Sequence, residues 1–381
     1  LAYYDRSLAT PFPRLLALRN KAWLLTDVAE SDGSVEALQV ALDFFTQFSP
    51  ILQQLQKTKT EEALLLLRWG EMEVALAKKK DVSSLFISGL QKLGTPDTMN
   101  PEHPKILGTC AEMQLTWGAN QGCLLSLRQA KQKAEKLLQL QPGSADSYYL
   151  LGCCLLEQAR YFEDAHYYEQ AIEQFQSGLS IDPKHSILWY VLGAAHLALG
   201  EETDNIRLVE KSIRHFAKAE EYQIEAYPEL WADSGVALLR LAEHRQDSTL
   251  AEMAMGRFLL CIESIPSGST IDQLTEKSFD ECDVFSLHSI SHIGCCLDLI
   301  SRLREDPFLL EKGIHLLEKV LEVAPDLVET RYQLACSWTD LGYAQGSARA
   351  FRRAHEHFVE LLKNHPENDL FHFDYALSLI G

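Results

Sequence analysis

The sequence predicts an all-α chain built from stacked antiparallel helix hairpins, and three observations carry that prediction. The stretch from Tyr148 to Pro183 is followed by a second copy, in which Tyr148, Leu151, Gly152 and Leu155 find counterparts in Trp189, Leu192, Gly193 and His196. Gly152 and Gly193 are 41 residues apart. In each copy a small residue, Ala171 or Ser212, follows the glycine after 19 residues, on a second stretch whose apolar residues recur at helical spacing.

These residue types have a physical reason to recur. A glycine or alanine on the first helix, facing an alanine or serine on the second, lets the two helices approach closely. A Phe or Leu four residues further on, such as Phe175 or Phe216, then fills the groove between hairpins. A proline beyond the second helix, such as Pro183, ends it, because proline lacks the amide donor and restricts the residue before it. One hairpin buries only part of its apolar surface, so neighbours must stack.

The pattern resembles the tetratricopeptide repeat (TPR), in which a large residue and Leu-Gly are followed by Ala, Phe and Pro over about 34 residues. The period here is longer by about seven residues, or two helical turns. One extra turn on each antiparallel helix keeps both buried faces in register. A period of about 40 to 47 would also suit armadillo or HEAT repeats, but the residue identities favour the TPR. The resemblance implies a right-handed α-solenoid of about eight hairpins.

Taken in order, residues 1–60 read as an irregular N-terminal hairpin, punctuated by Pro11 and Pro13. Residues 61–266 read as regular repeats: Gly70, Ala111, Gly152, Gly193 and Gly235 hold the first small position, and Gly89, Ala130, Ala171, Ser212 and Ala254 the second. The weakest repeat begins near Ala63, because Pro96, Pro101 and Pro104 crowd the end of its second helix over Ser83 to Leu93. Lys78, Lys79 and Lys80 mark a solvated turn or helix end. From Gly235 to Gly294 the spacing stretches to 59 residues. The excess falls in 267–284, an inserted loop or short helix with a helical piece over Ile271 to Phe279. Residues 285–381 resume the rule with Gly294, Gly313 and Leu317, then Ala335, Ala354 and Phe358, and end in an unpaired helix around Ala376.

The chain of 381 residues is 46% hydrophobic with only 20 Gly and 13 Pro, which suits an ordered protein with a large core. Its formal charge of -19 opposes non-specific binding to nucleic acid or an anionic membrane. No uninterrupted apolar run is long enough to span a bilayer, so no membrane insertion is expected. The start at Leu1 is neither a signal peptide nor a native initiation, so the chain reads as a soluble piece of a longer one. The apolar residues Phe371, Phe373, Tyr375, Leu377 and Leu379 lie on more than one face of the last helix, and continuation beyond Gly381 is expected from them. Nine scattered cysteines show no disulfide framework, which points to the cytoplasm or another reducing compartment.

The sequence contains no nucleophile elbow, phosphate-binding glycine loop, paired Cys-x-x-Cys or His-Glu-x-x-His motif. No enzyme activity and no cofactor are expected. One constellation stands out: His288, His292 and Cys295 share a helix face, with Cys282 and Asp283 nearby. Three such ligands could suit zinc or another transition metal, and a metal- or ligand-dependent regulatory or catalytic module is the alternative reading. The paired spacing of structural zinc sites is absent, so groove residues with a packing cysteine are preferred, and no metal is expected. His355 and His357 diverge on their helix and read as surface.

The resemblance further implies that a peptide or protein segment binds the concave groove lined by the first helices. With the first small residue at position eight of the repeat, position five supplies Tyr149, Tyr190, Ser291, Tyr332 and Phe373, and position nine supplies Cys153. These are the candidate partner-binding residues. The lysines, arginines and asparagines with which co-chaperone TPRs grip a terminal carboxylate are not at such positions. Aromatic and acidic groups replace them, so the expected partner is basic or apolar. The sequence reads as a non-enzymatic interaction scaffold, with a chaperone or assembly factor as its narrower form.

Overall fold

The computed structural model describes residues 15–32, 34–54, 59–80, 84, 87–92, 102–222, 228–262, 270–280 and 282–380. Pro11, Pro13, Pro96, Pro101, Pro266 and Ser83 lie outside the described residues. The described residues are helical, with short links and no strand. They fall into two compact units, 1–188 and 189–381.

In the first unit α1 (Leu15–Asp32) pairs with α2 (Val35–Gln54), and α3 (Lys59–Lys80) is followed by helical residues 87–92. Lys80 closes α3 and is exposed, as expected of a helix end. The next hairpins are α4 (Pro104–Gln121) with α5 (Leu124–Leu140), and α6 (Ala145–Phe162) with α7 (Ala165–Ile181). α8 (Ser186–Glu202) runs across the division at Leu188. The second unit continues with α9 (Ile206–Tyr222), the pair α10 (Pro228–Arg245) and α11 (Ser248–Leu260), and the short α12 (Ile271–Glu276). Then come α13 (Val284–Arg304) with α14 (Pro307–Val323), α15 (Val328–Gln345) with α16 (Ala348–Asn364), and α17 (Asp369–Ile380).

The 41-residue period is now accounted for. α6 has 18 residues and α7 has 17, linked by residues 163–164 and followed by residues 182–185. The added turn in each helix is where the spacing placed it. The close approach of the two small residues holds, but the place of the Phe four residues on, expected between hairpins, is corrected. A Cβ on Gly152 would lie 2.2 Å from Cε1 of Phe175, and one on Gly193 2.6 Å from the Phe216 ring. The glycine is therefore the seat of the second helix's aromatic ring, which sits inside its own hairpin. The small residue 19 further on meets backbone: a Cβ on Gly313 would lie 3.2 Å from the Gly294 carbonyl oxygen.

From α4 to α16, each hairpin turns on one residue with positive φ. Gly122 and Gly346 take it with φ near 60°, while Glu163, Asp204, Gln246 and Glu305 take it with φ between 49° and 55°. A left-handed residue ends the first helix and lets the chain reverse. The residue after it caps the second helix: the carboxylates of Asp164, Asp247 and Asp306 accept the amide hydrogens of His166, Thr249 and Phe308.

The inserted stretch is anchored to its own unit. A capping box from Thr270 and Gln273 starts α12, and Leu274 and Phe279 are buried. The Lys319 ammonium on α14 lies over the Phe279 ring and donates to the carbonyls of Thr275 and Lys277 at the end of the short helix. α13, which follows, is long and apolar enough by length and composition to cross a membrane, yet 72% of that stretch is buried within the fold. His355 and His357 are half-buried and depart from the expected surface placement. The His355 ring meets Tyr375 edge-on and its Nε2 approaches the Ser378 carbonyl at 3.1 Å, because α17 packs against α16.

Ties between successive hairpins of the second unit use both helix rows. Tyr190 on α8 donates its hydroxyl hydrogen to Asp233 on α10 at 2.9 Å, and Tyr332 on α15 does the same to Asp374 on α17. Between second helices, the Arg257 guanidinium grips both oxygens of Glu220, at 2.6 and 3.0 Å.

A candidate protein-binding groove

Three first helices of the second unit, α10, α13 and α15, enclose a cavity of about 240 Å³. Helical periodicity explains its lining, since residues three, four and seven apart share a face. α13 supplies His288, Ser291, His292 and Cys295; α10 supplies Val236, Leu239, Arg240 and Glu243; α15 supplies Glu329, Thr330, Tyr332 and Gln333.

The candidate residues named from sequence are distributed as follows. Ser291 and Tyr332 line the cavity together with His288, His292 and Cys295. Ser291 is buried, and its hydroxyl reaches the Leu287 carbonyl at 3.1 Å and the Thr330 hydroxyl at 2.8 Å. Tyr332 is half-buried, its ring 5.1 Å from that of Phe371. Burial and the hydrogen bond to Asp374 raise its pKa, so the hydroxyl stays protonated. Tyr190 is half-buried in the same unit and held by Asp233. Phe373 on α17 is 62% exposed. Tyr149 and Cys153 belong to the first unit, half-buried on α6, with the tyrosine hydroxyl bonded to the thiol. The tyrosines therefore serve the packing of first helices as well as the surface.

The electrostatics of the cavity separate its polar groups. Burial, with His288 and Arg240 nearby, lowers the His292 pKa to about 4, and its ring stacks on Phe258 at 4.8 Å between centroids. Burial raises the Cys295 thiol well above its ordinary range. A protonated thiol is a poor metal ligand, and among the described residues no group of three His, Cys, Asp or Glu is placed to hold a metal ion. Arg240 lies between Glu201 at 3.0 Å and Glu243 at 3.4 Å.

Beside the cavity wall, Asp298 on α13 and Asp340 on α15 are hydrogen-bonded to each other, with Arg302 at 3.6 and 3.5 Å from them. Asp298 is 3% exposed and its Oδ1 has no hydrogen-bond partner. Burial first, and Asp340 second, push its pKa up to about 7. Sequence reasoning missed this pair, as it missed Arg240, Glu243 and Glu329. Their signal was available, because Arg240 and Glu243 continue the face begun by Val236, one and two turns further along α10.

A family model described as "Plant specific mitochondrial import receptor subunit TOM20" matches residues 122–233. No curated protein matches the chain. Among solved structures, the C-terminal part of a TPR repeat-containing protein from Cytophaga hutchinsonii is 14% identical, with 80% of this chain and 97% of that one covered at a TM-score of 0.43. A thermophilic TPR protein of Thermus thermophilus is 18% identical, covering 52% of this chain and 93% of its own at a TM-score of 0.39. YrrB, described as a TPR protein with an unusual peptide-binding site, is 14% identical, with 63% and 96% covered at a TM-score of 0.37. By its own 41-residue period and the packing within its hairpins, this chain is an all-helical repeat protein of antiparallel hairpins.

Proposed function

We propose that the chain is a non-enzymatic scaffold that binds a protein or peptide segment on the first-helix face of its hairpins. The observation that supports this most is the cavity at α10, α13 and α15, which opens on that face and is lined by apolar, aromatic and charged groups together. Stacked hairpins present extended surfaces of this sort. The likeness of residues 122–233 to an import receptor subunit fits a receptor-like role. The partner segment is basic or apolar, in keeping with the acidic balance of the chain. Chaperoning or assembly of the bound protein is the narrower form of the proposal. Free thiols at Cys154, Cys261, Cys295 and Cys296 suit the cytoplasm or another reducing compartment.

The test is comparative capture. The immobilised chain and a Gln333→Trp variant, whose indole would fill the cavity, are exposed to the same lysate and the retained proteins are identified by mass spectrometry. A protein held by the first and lost from the second supports the proposal. Equal retention by both would refute a binding role for this face.

A further inference from the structure

Building on the reading of this groove as a binding surface, we propose that the cavity at α10, α13 and α15 is a subsite for one lysine or arginine side chain of the bound segment. Its volume of about 240 Å³ is below the roughly 300–1,000 Å³ typical of small-molecule sites. One long side chain suits it better than a metabolite. Val236, Leu239 and Cys295 supply an apolar wall for an aliphatic stem, while the polar groups stand elsewhere on the lining.

Charge selects the head group. The cavity's one guanidinium, Arg240, is already balanced by Glu201 and Glu243. His292 is neutral near pH 7, because burial lowers its pKa to about 4. Glu329, by contrast, is exposed in the first turn of α15, and no ion pair engages it among the described residues. A cationic head placed there meets the Glu329 carboxylate and, one turn along the same helix, the acceptor side of the Tyr332 oxygen, whose hydrogen is given to Asp374. An anionic head would face the same carboxylate and be repelled.

The experiment is to pan a phage-displayed random dodecapeptide library against the whole chain and measure the enriched peptides by fluorescence anisotropy. Peptides bearing Lys or Arg beside aliphatic residues are expected, and replacing that residue by Gln should weaken binding roughly three- to tenfold. Glu329→Gln should weaken the basic peptide by a similar factor and leave its Gln version unchanged, and Glu329→Lys should reverse the preference. Both substitutions are at an exposed site, and unchanged circular dichroism confirms the fold. Enriched peptides that lose affinity to Gln333→Trp but are indifferent to their own basic residue or to Glu329 would overturn the subsite while leaving the groove. Failure to enrich any peptide sensitive to Gln333→Trp would overturn the groove reading itself.

Discussion

Asp298→Asn tests the interior of the second unit most directly. The Asp298 carboxyl sits near pKa 7 in the folded chain against an ordinary value of 3.8, because it is buried and beside Asp340. Glu243 on α10 adds to the rise, and Arg302 on the same helix opposes it. A folded pKa raised above the unfolded one means that the folded state holds an extra proton between the two values. Its stabilising contribution is complete below about 3.8 and is lost as pH rises through about 7. Three units at about 1.4 kcal/mol each give a loss of up to about 4 kcal/mol between pH 4 and pH 8. Asparagine keeps the shape and a hydrogen for Asp340 without ionising. Urea denaturation followed by helical circular dichroism from pH 4.5 to 8.5 should show the variant gaining on the parent as pH rises, with most of the gain by pH 8. Parallel pH profiles of the two proteins, or a parent that gains on the variant towards pH 8, would refute the shared-proton arrangement.

Other predictions address the repeat itself. Gly152→Ala places a methyl 2.2 Å from the Phe175 ring, and overpacking of this kind should cost roughly 1 to 3 kcal/mol by thermal or urea denaturation. Glu163→Gly relieves a non-glycine left-handed turn, φ 51°, and should stabilise the chain by up to about 1 kcal/mol in the same assay, since Gly also has more unfolded freedom to lose. Asp247→Ala removes the carboxylate that caps α11 and should cost about 1 kcal/mol. The His215 ring lies 4.9 Å from that of His196, and burial first, then His196, Lys211 and Arg214, depresses its pKa to about 4. Here the sign is opposite to that of Asp298: stability is present above the ordinary value of 6.5 and falls as pH drops towards 4. His215→Gln should flatten that acid limb in a denaturation series from pH 7 to 4.

The period and the hairpin architecture were legible because they rest on residue types with one dominant use. Gly152, Gly193 and Gly294 recur where an apolar side chain must sit against backbone. The seat of the Phe or Leu that follows was not legible. Small residues 19 apart do meet, as at Gly294 and Gly313, but whether Phe175 fills the space between hairpins or sits on Gly152 within its own is decided only by the rotation of the helices. The turns were legible only in part. Asp164, Asp247 and Asp306 are recognisable caps, but nothing in Glu163 or Gln246 announces a left-handed conformation that glycine usually takes. At the groove, register brought Ser291 and Tyr332 forward, and the motif search brought His288, His292 and Cys295, and all five line one cavity. Glu329 and Arg240 were passed over because charged residues on a helix are ordinarily solvated. Asp298 was passed over for the converse reason, since an acid in a helix is not expected at 3% exposure.

The ties between hairpins are of two electrical kinds. On the first-helix row a phenol hydroxyl binds a carboxylate, at Tyr190–Asp233 and at Tyr332–Asp374, with both tyrosines half-buried. On the second-helix row Arg257 and Glu220 form an ion pair whose side chains are 30% and 37% exposed. Dissolved ions weaken an attraction between accessible charges far more than a hydrogen bond between packed groups. The first helices carry accessible ion pairs too, Arg240–Glu201 and Arg302–Asp340, so raising ionic strength weakens the charged ties of both rows while the phenol–carboxylate ties hold. Within the second unit, salt therefore shifts the hold between neighbouring hairpins from paired charges to hydrogen bonds between packed groups.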